Sequence, residues 1–249
     1  MFTEIVVRPL YNGLVGLMDI IPGLDVGLAV IIFTVIVRLI LYPLSKNSLL
    51  TQVRMKDAEP EAAKIRAQYA NDRQTQAMKI MALYKEKRIK PFSGILLLII
   101  QLPILLALIS VFYKIIPTID ASLLYSFVHA PAPNPTLLGI DLTNKNLILS
   151  VITAIIQFFQ LHFSLAAKQQ KAMAAQTIKN GGKPDTAAQL SNSMTTQMKF
   201  ILPIFAFVSI YWIIPARFPE ASSIIAIYWS VSSLFTLGQE LYIKKKHLK

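Results

Sequence analysis

Arg38 stands apart among the 25 lysines and arginines of this 249-residue chain. It lies inside the apolar run Phe33-Thr34-Val35-Ile36-Val37-Arg38-Leu39-Ile40-Leu41-Tyr42-Pro43-Leu44. About six residues, or ~9 Å of helix, separate it from the polar boundary at Ser45-Lys46. On insertion scales a central arginine costs about 2.5–3.5 kcal/mol in a bilayer. The long side chain can snorkel to the headgroups, or it can face a wet cavity open to the aqueous side. The depth favours the cavity. No Asp or Glu is expected in the apolar core of a span, so the guanidinium has no ion-pair partner there and attracts anions. Thr34 is one helical turn away on the same face. Gln101 (beside Pro103), Gln157, Gln160, Ser230, Ser232 and Ser233 lie in other apolar runs. Singly, each is an ordinary helix–helix hydrogen-bond contact. Together, with one cation and no acid, they describe a mildly polar groove rather than an ion-binding cage.

Other chemistry is poorly served. His129, His162 and His247 are far apart in sequence and lack the spacing of metal ligands, so no metal site is expected. There is no cysteine, hence no disulfide, iron–sulfur ligation or thiol catalysis. No Gly-x-x-x-x-Gly-Lys-Ser/Thr loop is present to cradle a nucleotide, and no Gly-x-Ser-x-Gly elbow accompanies the serines. An enzyme is therefore not expected, nor is a bound cofactor.

The elements that must position these residues follow from the composition. Hydrophobic residues make up 54% and charged residues 15%, against ~25% charged in a soluble chain. There is too little polar surface to cover the molecule in water. Five runs of ~17–25 apolar residues are long enough to span a bilayer: 24–44, 93–113, 146–166, 197–215 and 222–242. Their apolar residues fall on all sides, as for helices solvated by lipid and by one another. The alternation of a membrane β-barrel is absent. The expected fold is an all-α polytopic membrane protein with five transmembrane helices, forming a single domain over 1–249.

Charge orients these spans. Loops 46–91 and 167–196, the tail 243–249 and Lys199 hold 20 cations, whereas Arg8, Lys114, Lys145 and Arg217 are the 4 on the other side. The positive-inside rule puts the N-terminus outside and the C-terminus in the cytoplasm, so the +12 net charge reports membrane orientation and not a DNA partner. Residues 46–91 read as a cytoplasmic helical hairpin, with helices near 56–70 and 73–88 turning at Asn71-Asp72. Asp72 suits an N-cap and Pro60 a first helical turn; Ile65, Tyr69, Met78 and Met81 are the expected contacts. Loop 167–196, with Gly181-Gly182-Lys183-Pro184, reads as a flexible connection. The outer loop 114–145, with Pro131, Pro133 and Pro135, is expected to lack regular structure. Residues 2–20 read as an amphipathic helix on the outer surface rather than a cleaved signal, and Gly23-x-x-x-Gly27 as a turn at a membrane edge. The basic tail suits anionic lipid or ribosomal RNA.

Several of these stretches, in order, resemble a known family. Val37-Arg38-Leu39-Ile40-Leu41-Tyr42-Pro43-Leu44 at the end of a first span is similar to the signature of the YidC/Oxa/Alb membrane protein insertases. Met81-Ala82-Leu83-Tyr84-Lys85-Glu86-Lys87 with Pro91 resembles the cytoplasmic hairpin of that family. Ile100-Gln101-Leu102-Pro103-Ile104 and Ile227-Tyr228-Trp229-Ser230-Val231-Ser232 resemble its second and last spans. Two departures stand out: Phe92-Ser93-Gly94 where the family usually has a Gly-Gly pair and a further proline, and a longer outer turn at Pro215-Ala216-Arg217-Phe218-Pro219-Glu220. The chain is similar to the short, core-only bacterial members.

The resemblance implies an insertase that helps client spans enter and fold in the bacterial inner (plasma) membrane without nucleotide hydrolysis. Arg38 would be its groove arginine, with Thr34, Gln160 and Trp229 lining the groove. It implies client membrane proteins, emerging as nascent chains, as partners, beside membrane lipids. The hairpin offers a docking surface for the ribosome or a targeting factor, and the signal recognition particle receptor and the Sec translocon are further candidate partners. The alternative is a small membrane transporter or channel, but neither the acidic coupling residues nor the inverted repeats of one are found.

Overall fold

The computed structural model describes residues 1–90, 93–115, 118–164 and 200–247. Loop 167–196 and its Gly-Gly-Lys-Pro stretch, together with Pro91 and Phe92, lie outside the described residues. Eight helices organise the described chain: α1 (Arg8–Ile20), α2 (Val26–Ile40), α3 (Tyr42–Gln68), α4 (Arg73–Glu86), α5 (Ser93–Ile115), α6 (Leu147–Phe163), α7 (Phe200–Arg217) and α8 (Ser222–His247). By length and composition, Phe200–Arg217 and Pro219–Ile243 suit membrane crossing; α2 with Tyr42–Met55 passes the same test as an interrupted pair. Pro103–Ile115 and Leu147–Phe163 are shorter apolar helices. Many of their large apolar side chains are exposed, among them Ile36, Leu106, Ile148, Ile155 and Phe205. That is the surface of an α-helical membrane protein, for which lipid is the solvent.

The chain divides into two compact units. The first takes Met1–Leu41, Ile99–Gln160 and Phe200–Thr236; the second contains α3, α4 and the chain from Leu237 onward. In the first, Tyr11 and Leu14 of α1, Val30 and Phe33 of α2, Leu108 and Phe112 of α5, and Ile224 and Tyr228 of α8 share one buried cluster. Gly13 makes the α1–α2 approach possible, since a Cβ there would stand 2.8 Å from the Phe33 ring. The helix over 2–20 buries one face, with Val7, Tyr11, Leu14, Val15 and Met18, against the rest of the unit.

Asp25 starts α2 by accepting the Leu28 N–H at 2.7 Å, which satisfies one of the donors a helix N-terminus leaves free. Gly23 turns the chain before it at φ 81°, whereas Gly27 already belongs to α2. The run 24–44 is not one uninterrupted helix: α2 ends at Ile40 and α3 begins at Tyr42. Pro43 accounts for the break, because it has no N–H to continue the ladder but fits a first turn.

The loop over 118–146 is more ordered than its prolines suggest. Asn12 donates to the carbonyls of Arg8 and Leu123, both at 2.8 Å, and accepts the Tyr125 N–H at 2.7 Å. Tyr11 Oη accepts the Asp120 N–H at 2.6 Å. Two short strands, β1 (Thr136–Leu137) and β2 (Ile140–Asp141), pair antiparallel with Thr136 opposite Asp141. The expectation of a loop without regular structure is thus corrected: polar side chains on α1 supply the anchors that proline removes from the loop itself. The turn before the last helix is also shorter than the sequence suggested. α7 continues to Arg217 through a π-helical stretch, Ser209–Ile213, that precedes Pro215.

In the second unit Asp72 caps α4, accepting the Thr75 N–H at 3.0 Å. Hydrogen bonding from Thr75 holds the Asp72 carboxyl below its usual range. Pro60 lies inside α3 and not in a first turn, because the helix begins at Tyr42, well before the position read from polarity. Ala58, Tyr84 and Ile89 form the hairpin's buried cluster, with Met55 and Ile80 against it. Met78 and Met81 are exposed instead. Beside that cluster the buried carboxylate of Glu59 receives the Arg66 guanidinium.

One sequence expectation concerning acids is corrected in this unit. Glu240, within the run 222–242, is buried, and Ser164 Oγ donates to it at 3.4 Å. Next to it Gln239 and Ser45 exchange hydrogen bonds at 2.8 and 3.0 Å. The carboxylate was hidden by its position at the last turns of an otherwise apolar run.

Candidate functional site

Within the first unit, α2, α5, α6 and α8 enclose a cavity of about 240 Å³. A cavity needs only ~10–15 Å³ of such space to hold one water, so this one admits solvent or a polar segment of a polypeptide. Arg38 enters from the last turn of α2, and Gln101 and Leu105 from α5. Gln157 and Gln160 come from α6, while Tyr228, Trp229, Ser232, Ser233 and Thr236 form a stripe on α8. The stripe has the 3–4-residue spacing that puts side chains on one helix face.

Hydrogen bonds set these side chains in place. Arg38 Nε donates to Ser232 Oγ at 3.3 Å, and Gln101 Nε2 donates to Tyr228 Oη at 3.2 Å. The Tyr228 ring packs against Phe112 with centroids 6.0 Å apart. Thr236 donates to the Ser232 carbonyl at 2.9 Å. Arg38 makes no ion pair among the described residues. A guanidinium has five donors in a planar fork, and Ser232 engages the one at Nε. Gln157 is 8% exposed, and among the described residues its side-chain oxygen has no protein hydrogen-bond partner.

The cavity brings together Arg38, Gln101, Gln157, Gln160, Trp229, Ser232 and Ser233 of the residues singled out by sequence. It excludes two. Thr34 is buried and its hydroxyl donates to the Val30 carbonyl at 2.6 Å. A short β-hydroxyl bonds back to its own helix, whereas the arginine one turn on is long enough to reach the cavity. Ser230 is turned away from it to the Thr153 hydroxyl, 2.9 Å distant. Leu105, Tyr228 and Thr236 went unrecognised; for the last two, the 228-232-236 spacing was the available signal. Among the described residues no group of three or more His, Asp or Glu is gathered as metal ligands would be. The arrangement can attract an anion, hold water and exchange hydrogen bonds with a polypeptide; it presents no nucleophile–base pair.

Residues 17–249 match the family model described as 60Kd inner membrane protein. The chain is 31% identical over 220 residues to the "Membrane protein insertase YidC" of Fusobacterium nucleatum, covering 88% of this chain and 86% of that protein. It is 29% identical over 228 residues to the protein of the same name from Clostridium tetani, covering 92% and 86%. With the like-named protein of Hahella chejuensis it shares 25% identity over 242 residues, 97% of this chain but 35% of that longer one.

Proposed function

Because this chain belongs to the 60Kd inner membrane protein family, we propose that it is a membrane protein insertase whose groove is the Arg38 cavity. The observation that carries the reading is that one cavity holds Arg38, three glutamines and two serines between apolar helices. Such a cavity shortens the hydrocarbon path that the polar part of a client must cross. Each unsatisfied polar group in that path costs several kcal/mol. Among the described residues the guanidinium has no carboxylate partner, so in this reading it receives an acidic segment, and low effective dielectric strengthens that attraction.

In this reading the runs 24–44, 93–113, 146–166, 197–215 and 222–242 are five spans, with the N-terminus outside. The 20-to-4 division of cations favours that orientation. A client helix moves along α6 and α8, past Gln160, Trp229 and Ser233, and leaves sideways into lipid. Burial of its apolar surface, at about 25 cal/mol per Å², drives the step without nucleotide. The α3–α4 hairpin, basic and longer than a connection requires, receives the ribosome or a targeting factor. Nascent membrane proteins are the clients, in the inner membrane of a bacterium, with the signal recognition particle receptor and the Sec translocon as further partners.

Purified protein in liposomes tests this reading. Nucleotide-free insertion of a reporter span without solute flux is expected; flux without insertion would favour a transporter and overturn it. Photo-crosslinkers at Gln160, Trp229 and Ser233 should capture a stalled client. Equal capture all around α6 and α8 would contradict the groove path.

A further inference from the structure

The outer loop carries apolar side chains where the fold gives them little protein to pack on. Leu138, at the tip of the β1–β2 hairpin, is 78% exposed; Phe127 is 73% exposed and Ile20 79%. A two-residue hairpin tip ordinarily takes Asn, Asp or Gly, which tolerate positive φ. Here Leu138 sits at φ 50° beside Gly139 at 86°. Neither contact with water nor backbone geometry favours a leucine at that position.

Two carboxylates set the level at which these side chains stand. Asp25 caps α2 with one oxygen and accepts the Leu138 N–H with the other at 3.1 Å. The Val26 N–H donates to the Asn134 carbonyl at 2.9 Å. A Cβ on Gly27 would meet that of Leu137 at 2.6 Å, so the hairpin lies directly on the first turn of α2. Asp19, next to Ile20, accepts the His129 N–H at 3.1 Å, two residues beyond Phe127. The hairpin is thereby fastened to the N-terminal end of the apolar helix that carries Arg38, and the Phe127 segment to the end of α1; in a bilayer spanned by α2 the hairpin stands where hydrocarbon gives way to headgroups. Apolar and aromatic side chains at that depth partition into the interface.

We propose that loop 118–146 is a lipid anchor. Leu138 and Ile140 of the hairpin, with Phe127 and Ile20, enter the headgroup–acyl boundary of the leaflet at the N-terminal end of α2. The proposal rests on the topology argued above for naming that leaflet the outer one. Lipid is the occupant because the hairpin stands on the first turn of α2, part of a candidate membrane span, and the chain runs on from it into the apolar helix α6, whose first residues Leu147 and Ile148 are exposed as well. The anchor holds the N-terminal end of α2 at fixed depth and so sets how far into the bilayer Arg38 lies.

The chain has no cysteine, so one introduced cysteine carries one probe. Leu138→Cys, labelled with an environment-sensitive fluorophore, is placed in phosphatidylethanolamine–phosphatidylglycerol vesicles with no client present. Met78→Cys, at an exposed position on α4, is the comparator. The Leu138 probe is expected to be blue-shifted, quenched by lipids with a nitroxide high on the acyl chain, and shielded from iodide; the Met78 probe should behave oppositely. Iodide quenching equal to that at Met78 would overturn the proposal. Shielding from both quenchers would overturn it too, since a second copy or another protein would then cover the tip. Phe127→Cys repeats the readout from the other clamp if the hairpin is disturbed. Leu138→Asn suits the turn better and should raise the melting temperature in detergent while increasing iodide access at an Ile140→Cys probe; unchanged access there counts against the anchor. Failure of the insertase reading would leave these results as they are. Iodide confined to one side of the vesicle assigns the leaflet separately.

Discussion

Arg38 and Glu59 are both charged groups set among apolar side chains, and the molecule treats them differently. Glu59 is 8% exposed and receives two nitrogens of Arg66 at 2.5 and 3.4 Å. Burial works against the Arg66 charge, but hydrogen bonding and attraction from Glu59 outweigh it, so the guanidinium holds its proton more firmly than usual. Tyr84 beside them is pushed up, chiefly by burial. Arg38 has the Ser232 hydroxyl and a cavity of about 240 Å³. A satisfied ion pair contributes to holding the hairpin helix in one arrangement, whereas a cation with a neutral partner and open space remains available to something that arrives. In the reading proposed above, the first charge belongs to architecture and the second to binding.

Substitutions should separate the two. Arg66→Ala leaves a buried carboxylate without its partner. Because Arg66 is itself 44% exposed, the cost should fall below that of a fully buried pair, at about 1.5–3 kcal/mol. Faster amide exchange across α3 and α4 would register it. Arg38→Met should act in the opposite direction, raising the melting temperature in detergent or lipid by the equivalent of about 1 kcal/mol, because the cost of holding a cation in the membrane disappears. A large loss of stability would make Arg38 architectural and break the contrast. Tyr228→Phe removes the acceptor for Gln101 and should cost roughly 1 kcal/mol, with a modest fall in melting temperature. The smallest effect concerns Asp72, whose carboxyl is lowered in the folded hairpin by Thr75. Its contribution is present above the ordinary carboxylate range and is lost as pH falls through the lower folded value. Exchange at the start of α4 should therefore quicken only below about pH 4.

The Arg38 half of this contrast was legible in the sequence, whereas the Glu59–Arg66 pair was not. An arginine in an apolar run, glutamines in runs that otherwise lack polarity, and an Asn-Asp turn between polar helical stretches all have strong local causes. The Asp72 cap follows from the first turn of α4 alone. What escaped depends on rotation and on distant neighbours. Thr34 and Ser230 have the right polarity but satisfy their hydroxyls on Val30 and Thr153, which a residue type cannot reveal. Tyr228 reads as an apolar residue until Gln101 is seen to reach its hydroxyl. The order of the loop over 118–146 escaped because it comes from Asn12, Tyr11 and Asp25, more than 100 residues away from their partners.

The central claim is that the Arg38 charge acts on the client. The direct measurement is nucleotide-free insertion into liposomes of one reporter span bearing acidic, neutral or basic outer tails, by wild-type protein, Arg38→Lys and Arg38→Glu. Opposite unit charges ~4 Å apart at an effective dielectric of ~20 attract by about 4 kcal/mol before screening. Even a third of that is about tenfold. Arg38→Glu should therefore slow the acidic client by at least about tenfold, leave the neutral client little changed and favour the basic one, while Arg38→Lys stays near wild type. Insertion of the acidic client by Arg38→Glu at the wild-type rate would contradict the account.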